Sequence, residues 1–90
     1  MPSWLVETYL ARGRTGERAA HERRARSAAA ELTRAGTHVR FDGAIHVPED
    51  EICFFVFGAP TGEEAARAAE LAALDPVRVV EAVTSGEEQR

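Results

Sequence analysis

The sequence predicts an α+β domain with element order β-α-β-β-α-β, the ferredoxin-like arrangement of an antiparallel four-stranded sheet with two helices. Three observations carry this prediction. Two Ala-rich segments with helical spacing alternate with four short segments rich in β-branched and aromatic residues. The short acidic stretch Pro48-Glu49-Asp50 joins the second and third of those segments, so they form a hairpin rather than a crossover. The 90 residues suffice for one domain.

Trp4 to Leu10 reads as the first strand, ended by Ala11-Arg12-Gly13-Arg14-Thr15-Gly16. Thr15 is the expected N-cap of the first helix, and Glu17 in its first turn suits the helix dipole. Ala and Arg carry that helix to about Ala35, where Gly36 stands as a C-terminal glycine should. Ala25, Ala28, Ala29 and Leu32 make its buried stripe, and one turn earlier the stripe reaches His21.

His38 to Val47 reads as the second strand. Val39, Phe41, Ile45 and Val47 alternate with polar residues, and Gly43 marks a bulge. Ile52 to Phe57 is apolar at every position, as in a strand covered on both faces. Thr61 and Glu64 have capping-box spacing at the start of the second helix. This helix is expected to run to about Leu74, since Pro76 disfavours helix at Asp75. Val77 to Val83 is the fourth strand. Residues 1–84 form the expected domain, and the polar segment 85–90 is expected to be a flexible C-terminal tail.

In the split β-α-β arrangement the strand order is 4-1-3-2, with both helices on one face. The third strand is then central. One of its faces meets the helices; the other is an apolar patch on a monomer, which predicts a homodimer through the open face. The same topology gathers Tyr9, His21, His46, Cys53 and Asp75 at one end of the domain.

Composition excludes several classes. A net charge of −4 with interspersed arginines predicts no nucleic-acid partner. The apolar runs are too short for a membrane span. Met-Pro-Ser-Trp lacks the charged and apolar regions of a secretory signal, so a cytoplasmic location is expected. Cys53 is the only cysteine, which rules out an internal disulfide. Gly13 and Gly16 do not make a nucleotide fingerprint.

The stretch His46-Val47-Pro48-Glu49-Asp50-Glu51-Ile52-Cys53-Phe54-Phe55-Val56-Phe57-Gly58-Ala59-Pro60 resembles a family of small bacterial ferredoxin-like proteins of unknown function that includes a nickel-binding protein. The likeness continues through Thr61 to Ala73 and Arg78 to Val83. Trp4-Leu5-Val6-Glu7 and the Ala/Arg-rich helix are also similar. At Gly58, members often carry an acidic residue instead. The resemblance implies the same fold, a dimer and nickel as the metal.

Two chemical readings follow. In the first, His46, Cys53 and His21 are metal ligands, since thiolate and imidazole suit nickel, zinc and copper. His46 faces Cys53 only if Val47 pairs with Ile52; a one-residue slip sends His46 to the other face. In the second, the chain is a dimeric α+β barrel protein of the cyclase or oxygenase kind, with a small-molecule pocket between sheet and helices. Trp4, Glu7, Tyr9 and Phe55 would line it, with His21 or Tyr9 as acid or base. A structural or regulatory dimer without ligand is the third reading. Glu7, Glu81 and Arg78 are expected to pair across strands, or Glu7 and Glu81 to offer oxygen ligands at the dimer face.

Overall fold

The computed structural model describes residues 1–83; residues 84–90, which contain the expected tail, lie outside the described residues. Four strands form one sheet: β1 (Ser3–Tyr9), β2 (Arg40–Val47), β3 (Ile52–Gly58) and β4 (Arg78–Ala82). Their order is β2-β3-β1-β4 and every pairing is antiparallel. Two helices, α1 (Arg18–Arg34) and α2 (Gly62–Leu71), lie against one face. The ferredoxin-like order expected from the sequence is the one observed.

Strand alternation divides the sheet into two surfaces. Toward the helices point Trp4, Val6 and Thr8 of β1, Cys53, Phe55 and Phe57 of β3, and Phe41, Ala44 and His46 of β2. Phe55 and Phe57 are the largest fully buried side chains. Helix α1 buries Ala25, Ala28, Ala29 and Leu32, the predicted stripe, and α2 buries Ala65, Ala68 and Ala69. Among the described residues, eight of the sixteen buried apolar ones are alanines, so the helices sit close to the sheet. The molecule is a two-layer slab, 18 Å along its shortest axis.

Local chemistry sets the boundaries. Residues Arg12–Glu17 form a 3-10 turn, and α1 begins at Arg18 with Glu17 as its cap residue. The expected Thr15 cap is therefore displaced, because the chain must first make this turn to cross from the sheet to the helix layer. At the far end of α1, the Thr33 hydroxyl donates to the Val39 carbonyl (2.8 Å) and accepts from the Val39 N–H (3.2 Å), which fixes the path into β2. The predicted bulge is present: the β2–β3 register shifts between Phe41 and Gly43, and Gly43 has φ +129°. Helix α2 opens with the predicted capping box, the Glu64 carboxylate accepting from the Thr61 N–H at 2.9 Å. Gly62 lets the chain pass close to Trp4: a Cβ there would lie 3.1 Å from the Trp4 ring, a tight contact.

Helix α2 ends at Leu71, three residues before the expected end. The reason is a Schellman motif: the Leu74 N–H bonds the Ala69 carbonyl (3.0 Å) and the Ala73 N–H bonds the Glu70 carbonyl (3.0 Å). Helix α1 closes the same way, with Thr37 on Leu32 and Gly36 on Thr33. Gly36 occupies the left-handed position there, but in α2 that position is Ala73, at φ +57°. An L-residue in this region costs on the order of 1–2 kcal/mol, partly offset by its lower unfolded entropy. Ala73→Gly is therefore expected to stabilise the domain by about 1 kcal/mol. Urea denaturation checks this, and an unchanged or lowered midpoint would count against it.

Candidate functional site

The hairpin register decides what meets at the predicted end. Val47 pairs with Ile52, so His46 stands directly opposite Cys53, and Thr8 of β1 stands opposite Cys53 on its other side. His46, Cys53 and Thr8 thus form one rung facing the helices. The register that the metal reading requires is the one observed.

The rung is closed by α1. The Arg18 guanidinium donates to His46 Nδ1 at 3.3 Å and is held by the Glu22 carboxylate at 3.2 Å. A ring whose Nδ1 accepts carries its proton on Nε2. That Nε2 is buried and has no hydrogen-bond partner among the described residues. Under it, Cys53 is fully buried, and the Thr8 hydroxyl donates to the Cys53 carbonyl at 2.8 Å. Burial pushes the Cys53 thiol up to about 11; Arg18 pulls against that shift and Glu22 adds to it. At neutral pH the sulfur is a protonated thiol.

His21 is set apart from this rung. Its ring packs at 6.0 Å from the ring of Phe55, and its Nε2 lies 4.0 Å from Glu17 Oε1. Desolvation lowers its pKa, Arg24 and Arg14 lower it further, and Glu17 opposes them. With Tyr9 and Asp75 it lines a separate end cleft of about 190 Å³. Among the described residues no group of three or more His, Cys, Asp or Glu side chains converges. His46 and Cys53 therefore supply two donors, whereas structural sites for such metals usually take four. Nickel on His46 Nε2 would also need the ring proton moved to Nδ1, against the Arg18 guanidinium.

The four residues expected round an internal pocket are divided by the sheet. Phe55 and Trp4 point toward the helices; Glu7 and Tyr9 alternate onto the opposite face. Phe55 is fully buried, and the Trp4 indole donates to the Ala59 carbonyl at 3.0 Å while lying over Gly62. Five surface clefts lie elsewhere, and neither Trp4 nor Phe55 lines any of them. Glu7 instead accepts from Arg78 Nε at 2.7 Å, the expected cross-strand pair. Glu81 pairs in register with Trp4 and so faces away from Glu7, which removes the idea of two carboxylates on one face.

The open face is a second candidate site. Across β2-β3-β1-β4 its rungs read Gly43–Val56–Leu5–Val80, then Ile45–Phe54–Glu7–Arg78, then Val47–Ile52–Tyr9. Ile45 is 52% exposed and Tyr9 65%. Among the described residues no helix covers this surface. Sequence reasoning missed Thr8, Arg18 and Glu22. The i,i+4 spacing of Arg18 and Glu22 signalled a helix pair, but only the packing of α1 on β2 brings them to His46.

Cys53 gives a pH signature. Its unfolded thiol titrates near 9.0 and its folded thiol near 11. Between these values the unfolded chain has released a proton that the folded chain keeps, so stability falls as pH rises. The urea midpoint of the wild type is expected to drop from pH 9 to pH 11 more steeply than that of Cys53→Ala. Parallel pH profiles for the two proteins would refute the assignment.

Comparison of the chain with protein families, with curated proteins and with solved structures finds no match.

Proposed function

We propose that this chain acts as a homodimeric ferredoxin-like binding domain, two copies meeting through the open sheet face. One observation carries the reading: Leu5, Ile45, Ile52, Phe54, Val56 and Val80 form a continuous apolar lattice that neither helix covers. An apolar patch of this kind marks a contact surface. The alanine-rich core adds to the argument. A domain of this size buries only about 60% of its unfolded surface, so its margin is narrow. Alanines contribute little apolar area each, and joining two open faces creates a second core without lengthening the chain.

A transition metal at His46 and Cys53 is a second reading, favoured by the buried, unpartnered Nε2. Arg18 already has Glu22 as a partner, so it can leave His46 without losing its ion pair. Metal binding there would displace the Cys53 thiol proton and the His46 Nε2 proton.

Sedimentation at about 10 μM tests the dimer, since a functional homodimer should have Kd at or below this range. The wild type is expected to sediment as a dimer and Phe54→Asp as a folded monomer with unchanged far-UV circular dichroism. A monomeric wild type would sink the reading. Calorimetric titration with nickel and zinc tests the metal. Binding tighter than about 1 mM, lost in His46→Ala, is expected; absence of binding for both ions removes the reading and leaves the dimer untouched.

A further inference from the structure

Self-association through the open face leaves one question of charge. Glu7 sits between Phe54 on β3 and Arg78 on β4, with Leu5 two residues before it on the same strand face. Any packing that covers Leu5, Phe54 and Val80 also covers Glu7, whose side chain is only 16% exposed already. A covered carboxylate or guanidinium with open bonding positions is costly. The Glu7–Arg78 pair has such positions. Among the described residues, one Glu7 oxygen accepts from Arg78 Nε, and no other hydrogen bond reaches the Glu7 carboxylate or the rest of the Arg78 guanidinium. The pair is half-satisfied within one chain.

At the other corner of the face the situation differs. Arg40 meets Asp42 through two contacts, Nε to Oδ1 at 2.5 Å and a terminal nitrogen to Oδ2 at 3.1 Å. That ion pair is bidentate within the chain and asks less of a partner. On their own rung of the face, among the described residues, the open bonding positions belong to Glu7 and Arg78.

A two-fold interface brings the same patch from each copy. Glu7 and Arg78 are neighbours on adjacent strands, so a two-fold axis passing near one passes near both. Arg78 is long and its side chain is 65% exposed, free to reach across. We propose that Glu7 and Arg78 of the two copies form an intersubunit charge quartet, each carboxylate held by its own Arg78 and by that of the partner subunit, and that this quartet sets the register of the dimer. The apolar lattice supplies area without direction; the quartet supplies orientation and partner choice. The inference rests on the dimer reading above.

The test exploits reversed polarity. The double variant E7R/R78E keeps an ion pair within each chain and so keeps the fold. Alone it should self-associate with a Kd within about threefold of the wild type. Mixed with wild type and allowed to exchange, it should form mixed dimers well below the random proportion in native mass spectrometry, because every cross-subunit contact then joins like charges. The single variants E7R and R78E make a second measurement. Each alone should dissociate at least about tenfold more readily than wild type, and an equimolar mixture should recover the mixed dimer. Random exchange between wild type and the double variant, or singles that dimerise as well alone as mixed, would overturn the quartet while leaving the dimer standing. A monomeric wild type would instead remove the dimer reading itself, and the quartet with it.

Discussion

Glu51 holds the site end of the molecule together. It sits in the left-handed region at φ +55°, and its N–H closes the Pro48–Asp50 turn on the Pro48 carbonyl at 3.1 Å. Its own carbonyl accepts from the Leu10 N–H at 2.8 Å, and its carboxylate accepts from the Arg12 N–H at 2.9 Å. One residue thus ties the β2–β3 hairpin to the end of β1 and the start of the crossover. The consequence is register. With this turn, Val47 meets Ile52, and His46 meets Cys53 on the helix side. A slip of one residue would move His46 to the open face and place Ile45 inside.

The second constraint is thickness. Small side chains on both helices let them lie close over Phe55 and Phe57, and the Arg24 side chain links the helices by donating to the Ala72 carbonyl at 2.8 Å. None of the five clefts described above is lined by Trp4 or Phe55. Close packing also limits how much apolar area one side of the sheet can bury. The other side of β3 is also apolar, with Ile52, Phe54 and Val56 half-buried on the open face.

The two candidate sites lie on opposite faces of the same strand. Cys53 points to α1 and Phe54 to the open face. Covering one does not touch the other. The rung itself is arranged as a closed element: a protonated thiol, an imidazole capped by Arg18, and Thr8 bonded to the backbone of Cys53.

Much of the architecture was legible in the residues alone. The all-apolar third strand, the Ala25–Leu32 stripe, the Thr61–Glu64 box and the bulge glycine are local signals, and local physics settles them. So does the element order, because a short turn allows only a hairpin. The end of α2 escaped, since Ala73 takes a backbone conformation that its side chain disfavours and only the packing of Leu74 and the turn to β4 demands. The chemistry was less legible for a similar reason. That His46 faces Cys53 depended on register, that Arg18 closes over them depended on how α1 lies on β2, and that Trp4 and Glu7 part company depended on which face each strand presents. Sequence by itself determined the elements and their order, because those follow from spacing and turn chemistry. Tertiary structure alone decided which side chains share a surface, because one residue of register reverses every face of a strand.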